Sequence, residues 1–220
     1  MVSTKEQQRL GLKKLSESNS EFILGIDECG TGAWAGLFTV TSVVARRGWK
    51  PVKDIKDSKR LSKNKREKLV DDYLLPPEIE EATISHVMQH EFDMEGVGIR
   101  KALHKAIESL MLTAVDKYGP ITVVVDGLYA PVCGPVTSIA FPAADDLVPA
   151  CSAASIIGKV SRDRIMLALH DKYPDYGFNK NMGYGTKAHR KAIEKLGITP
   201  IHRRTFAPIK EFLRTERAGV

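Results

Sequence analysis

Two short apolar runs that each end in an acid constrain this chain most. Residues 22–27 read FILGID and residues 121–126 read ITVVVD, so the closing acids, Asp27 and Asp126, stand ninety-nine residues apart. The second run is continuously apolar, as a strand covered on both faces has to be, and it points to helices packed on a sheet. Residues 37–44 (LFTVTSVV) alternate and are β-branched, and read as a strand joined to the first by a Gly-rich turn. Residues 82–88 (ATISHVM) read as a third strand after the Pro76-Pro77 break, and three strands in succession suggest a meander. Residues 138–141 read as a fifth.

Helical spacing covers residues 62–75 and 98–118, where Leu103, Ala106, Ile107, Leu110 and Ala114 recur at three and four before Gly119-Pro120 ends the pattern. A long helix rich in small residues is expected at 150–170, and two more at 187–196 and 208–215. The fold class is therefore α/β: a mixed five-stranded sheet flanked by helices, with a helical C-terminal extension. The 220 residues suit one domain, and 43% hydrophobic with 27% charged residues is an ordinary globular composition, without the signature of disorder. Lys and Arg outnumber Asp and Glu by 33 to 27, which favours a polyanionic partner such as nucleic acid. Cys29, Cys133 and Cys151 are scattered and form no CxxC, so neither a disulfide framework nor a zinc site is indicated. A reducing, cytoplasmic setting is the expectation, with no membrane span, since about 18 consecutive apolar residues occur nowhere.

The acids draw attention as a set: Asp27, Glu28 and Asp126 at strand ends, and the pair Asp145-Asp146 ahead of the small-residue helix. Single carboxylates at strand ends serve as caps and turn formers, but hard oxygen ligands gathered at one point suit Mg²⁺ or Mn²⁺. Two such ions about 3.5–4 Å apart can support in-line phosphoryl displacement by water. Glu28 faces away from Asp27 in a regular strand, so both serve one site only if the chain bends, which Gly30 and Gly32 make feasible. A glycosidase also needs two acids, but the 7% aromatic content leaves few sugar platforms.

Six ordered blocks then carry a family resemblance. Residues 25–32 (GIDECGTG) resemble the GIDEAGRG signature of type 2 ribonuclease H, the ribonuclease HII family, and residues 57–62 (DSKRLS) resemble its DSKKLS. Residues 125–127 (VDG), 152–164 (SAASIIGKVSRDR), 183–186 (GYGT) and 201–206 (IHRRTF) follow in the family's order. The resemblance implies a ribonuclease H-like fold and metal-dependent cleavage of the RNA strand of RNA/DNA hybrids, including ribonucleotides embedded in duplex DNA, leaving 3′-hydroxyl and 5′-phosphate ends. It implies a catalytic core at 21–172 behind an N-terminal helical extension at 1–20, and a C-terminal substrate-binding extension at 173–220. A monomer is the expectation.

By the same resemblance, Asp27, Glu28, Asp126 and Asp145 hold a two-metal Mg²⁺ or Mn²⁺ site. Asp145 is preferred to Asp146 because it stands four residues before Pro149. The turn Gly30, Thr31 and Gly32 is expected to approach a ribose through its backbone, and Tyr184 matches the family's tyrosine at the RNA-to-DNA junction. Lys59, Arg60 and Lys187, with His189, are expected to meet phosphates without reading sequence. Three departures stand out: Thr31 replaces the family's Arg, Ala33 its Pro, and Ala143-Ala144 the Lys-Gly before the fourth acid. The GTG form is similar to ribonuclease HIII, which leaves two alternatives: an enzyme unable to cut at single ribonucleotides, or a relative that binds nucleic acid without cutting it. The His90-Glu91-Phe92-Asp93 stretch lacks a helical HExxH frame and reads as a polar turn, His202 reads as structural, and Trp34 as packing or a sugar contact.

Overall fold

A computed structural model describes residues 3–51, 55, 58–73, 79–93, 97–132 and 136–218. The chain opens with α1 (Thr4–Glu17), then β1 (Phe22–Cys29) and β2 (Phe38–Arg46). A 3₁₀ turn at Ser58–Arg60 leads to α2 (Lys63–Tyr73), β3 (Glu81–Val87), the one-turn α3 (Gln89–Phe92) and α4 (Gly98–Tyr118). There follow β4 (Thr122–Asp126), β5 (Thr137–Phe141), a 3₁₀ turn at Ala144–Asp146 and α5 (Pro149–Lys172). The tail holds α6 (Phe178–Asn181), α7 (Lys187–Leu196) and α8 (Ala207–Ala218). The strands form one mixed sheet in the order β3-β2-β1-β4-β5, so the expected meander is its first half.

The order puts β1 and β4, the two acid-ended runs, side by side at the centre. They pair in parallel from Ile23 opposite Thr122 to Ile26 opposite Val125, and the next residues along the two strands are Asp27 and Asp126. β5 pairs in parallel on the far side of β4, with Asp126 opposite Phe141. Val123, Val124 and Val125 are buried, as a strand with covered faces requires.

Two compact units divide the chain. One comprises Met1–Cys29, Val40–Ser85 and His104–Val160; the other comprises Gly30–Thr39, His86–Leu103 and Ser161–Val220. In the first, Val43, Leu69 and Val70 pack with Ala153, Ile156, Ile157 and Val160 of α5, while Val124, Ile139 and Phe141 pack with Ala150 and Cys151. Gly11 of α1 lies where a Cβ would overlap the Phe141 ring, which lets that helix approach β5 closely. In the second unit, Ala35, Met166, Tyr176, Phe178, Ile193, Ile201 and Ile209 form the core. Residues 90–93 differ from the expected polar turn. Phe92 is fully buried, and the Asp93 carboxylate accepts from the backbone N–H groups of Arg204 (2.5 Å) and Thr205 (2.7 Å).

Candidate active site

The register that aligns β1 with β4 also fixes which side chains share a face. Gly25 and Asp27 lie two apart on β1, as Val124 and Asp126 do on β4, so each pair projects to one side. α5 covers that side closely. A Cβ on Gly25 would run into the backbone of Ala150 and Cys151, and the Cys151 thiol donates to the Val124 carbonyl at 3.4 Å. The small residues Ala150, Cys151, Ser152, Ala153 and Ala154, all buried, make this approach possible.

The turn ahead of α5 brings the third acid. Asp145 is 5% exposed on the Ala144–Asp146 turn, and its carbonyl accepts from the Ser152 hydroxyl. The Ala144 N–H donates to Asp126 Oδ1 at 2.8 Å, tying the turn to the end of β4. One carboxylate oxygen from each of Asp27, Asp126 and Asp145 lies within 4.8 Å of the others. Asp146 stays outside this group. Glu28 is not part of this group, but its charge acts on Asp27.

Burial pushes the Asp27 carboxyl well above its ordinary range; a hydrogen bond from Ser155 opposes this, and repulsion from Asp126, Glu28 and Asp145 adds to it. Ser155 also bonds Ser58 at 2.9 Å, so a pair of buried hydroxyls backs the acid. Local sequence patterns single out neither serine, although both fall inside the matched blocks at 57–62 and 152–164. Three mutually repelling hard-oxygen donors converging on one point fit a divalent cation that prefers oxygen. The donor set therefore suits Mg²⁺ or Mn²⁺ and offers neither sulfur nor nitrogen within the group.

Of the expected recognition residues, Gly30, Thr31, Gly32, Tyr184 and Lys187 lie in the second unit, and Arg60 in the first. Gly30 has φ +92°, and a Cβ there would strike the Arg162 guanidinium. Gly32 has open space around it, so its backbone can be approached. The Thr31 carbonyl accepts from Arg203 Nη1 at 2.9 Å. Tyr184 is 38% exposed, and the Arg162 guanidinium lies 5.5 Å from its ring centroid. Trp34 packs against Gly185, with the Arg190 guanidinium 5.3 Å from its ring centroid.

Lys187 is exposed at the first position of α7, and Arg60 is exposed on the Ser58–Arg60 turn. Asp57 and the Lys59 side chain lie outside the described residues. His189 departs from expectation: it is fully buried, and burial lowers its proton affinity, because the apolar face of α7 turns it inward toward Tyr184 and His202. It is not available to a phosphate. No described helix is long and apolar enough to cross a membrane.

Comparison with known proteins follows the same lines. A family model described as Ribonuclease HII matches residues 24–209. Proteins named ribonuclease HII from Desulforamulus reducens and Dichelobacter nodosus are 40% and 36% identical over 193 and 195 residues; the matches cover 86% and 89% of this chain and 91% and 99% of theirs. The fold is similar to the crystal structure of the ribonuclease H2 from Pyrococcus horikoshii OT3, with TM-score 0.70 and 24% identity over 89% of this chain and 99% of that one. It is also similar to Bst-RNase HIII in complex with Mn²⁺, with TM-score 0.60 and 16% identity over 93% of this chain and 73% of that one.

Proposed function

Because the chain belongs to the ribonuclease HII family, and is thus a ribonuclease H hydrolase acting on RNA/DNA hybrids, we propose that it also incises duplex DNA at embedded ribonucleotides. The observation that carries the reading is the convergence of Asp27 and Asp126, carried by the neighbouring parallel strands β1 and β4, with Asp145 of the turn before α5. In this reading Asp27, Glu28, Asp126 and Asp145 hold Mg²⁺ or Mn²⁺ as a two-metal site. When bound, the ions activate the attacking water and stabilise the leaving oxygen. Ser155 and the Ala144 amide orient Asp27 and Asp126 for that task. The water oxygen bonds to phosphorus and gives up a proton, the P–O3′ bond breaks and O3′ takes up a proton, leaving a 3′-hydroxyl and a 5′-phosphate.

Substrate recognition falls to residues 173–220 and to the turn after β1, with 21–172 as the catalytic core and 1–20 as an extension of it. The backbone of Gly30, Thr31 and Gly32 meets the ribose, Tyr184 the junction, and Lys59, Arg60 and Lys187 the phosphates. The enzyme works as a cytoplasmic monomer. Thr31, where ribonuclease HII signatures carry Arg, favours a second reading in which only continuous RNA is cut.

Cleavage of two labelled duplexes in Mg²⁺, Mn²⁺ and chelator tests this. One carries a single ribonucleotide in DNA, the other a continuous RNA strand on DNA. Metal-dependent cutting of both supports the proposal, and cutting of the continuous hybrid alone supports the second reading. Cutting of neither by folded protein supports a binding-only relative.

A further inference from the structure

Residues 201–206 (IHRRTF) take no part in the chemistry proposed above, yet they touch both recognition elements. The Gly36 N–H donates to the Ile201 carbonyl at 2.9 Å, Ala35 forms a β-bridge with His202, and the Arg203 N–H donates to the Trp34 carbonyl at 2.8 Å. From this shared stretch, two consecutive side chains reach different targets.

Arg203 is fully buried. Its Nε donates to the Gly36 carbonyl and its Nη1 to the Thr31 carbonyl, both at 2.9 Å, and its guanidinium lies 5.0 Å and 5.2 Å from the ring centroids of Phe92 and Phe206. It thus holds the 30–36 turn at two carbonyls with one rigid fork. His202 works through a chain whose direction is forced. The Thr199 N–H donates to His202 Nδ1 at 2.9 Å, so that nitrogen carries no proton. In the neutral ring Nε2 then carries it and donates to His189 Nε2 at 3.1 Å; the His189 proton is left on Nδ1, which donates to the Tyr184 carbonyl at 2.9 Å. Burial keeps the His202 ring neutral, holding it down at about 4. The Gly183 carbonyl accepts from Trp34 (2.8 Å) and Ala35 (3.2 Å), which joins the Tyr184 turn to the same stretch.

We infer that His202 and Arg203 are positioning residues that set the Tyr184 turn and the 30–32 loop against each other, and thereby determine where along an RNA-containing strand this enzyme cuts. The inference rests on the reading of Tyr184 and the 30–32 loop as the elements that meet the ribose and its junction. Displacing a positioning element by about 1 Å can cost 10²-fold in a productive register, so a loosened pair redistributes cuts as well as slowing them.

The test uses a DNA strand with an internal tract of ribonucleotides, paired to DNA, cut in single turnover by the wild type, His202→Asn and Arg203→Lys. His202→Asn keeps an acceptor for the Thr199 amide but loses the donor to His189. Expected is cooperative melting in both variants, with the share of incision at the wild type's preferred position reduced about threefold or more. If either variant fails to melt cooperatively, His189→Asn is read in its place with the same expectation: it keeps a donor for the Tyr184 carbonyl and ends the link to His202. Equal slowing at every position, or a wild-type pattern, overturns the inference. A wild type that leaves every RNA-containing strand intact contradicts the proposed function instead.

Discussion

Asp27 is held among carboxylates that repel it, and a side chain kept for chemistry at that cost is expected to stabilise the protein when neutralised. Asp27→Asn keeps the acceptor for Ser155 and removes one charge. In chelator it should raise thermal stability by about 1 kcal/mol, while Mn²⁺ raises the melting temperature of the wild type more than that of the variant. Melting curves with and without metal measure both effects. At Gly30, φ +92° and the Arg162 guanidinium leave no room for a methyl group. Gly30→Ala should therefore cost at least about 2 kcal/mol in urea unfolding. His202 gives a pH signature. Its folded value of about 4 lies below the ordinary 6.5, so its contribution is present above pH 6.5 and is lost as pH falls toward 4. The loss is on the order of 3 kcal/mol across that window, and urea midpoints at pH 7 and 4.5 should differ less in His202→Asn than in the wild type.

The acids are readable in the sequence because strand-end carboxylates after apolar runs are local patterns. Of the 145–146 pair, Asp145 is the buried one and the one that lies in the acid group. His189 escapes such reading because a helix start looks solvated in sequence, and only the tertiary partner His202 shows why it turns inward.

At the scale of elements, the parallel β1–β4 pair and the helix laid across it carry the site. α5 approaches because its first turns are small and because Gly25 has no side chain beneath it. Gly25→Ala should push the helix outward, costing about 1–3 kcal/mol in urea unfolding and lowering hybrid cleavage through displacement of the Asp145 turn. Unchanged stability would contradict this packing. The strands and the long helices were legible from periodicity, with bounds shifted by only a few residues at most. The one-turn α3 was not. Its segment is held by Phe92 burial and by Asp93 bonds to residues 111 and 112 positions away, which no local pattern records.

For the whole molecule, the formal charge of +6 makes binding to nucleic acid depend on salt. Neutralising a single phosphate-binding cation should reduce the slope of log affinity against log salt by about 1. Lys187→Gln, at the exposed start of α7, should show that reduction on hybrid and embedded-ribonucleotide duplexes alike, as fluorescence anisotropy across a salt series would record. The family and the order of its blocks were visible in the sequence. The division into two compact units was not, because four of its five cuts fall inside β2, β3, α4 and α5, where hydrophobic periodicity continues unbroken.

In the function proposed, Asp27, Asp126 and Asp145 together make the site that cleaves the RNA strand. Single-turnover cleavage of an RNA/DNA hybrid across a Mn²⁺ titration, by the wild type, Asp145→Asn and Asp146→Asn in parallel, decides it. The prediction is a loss of about 10³-fold or more for Asp145→Asn with hybrid binding retained, and near wild-type cutting by Asp146→Asn. Full activity in Asp145→Asn, or its loss in Asp146→Asn alone, would contradict the site.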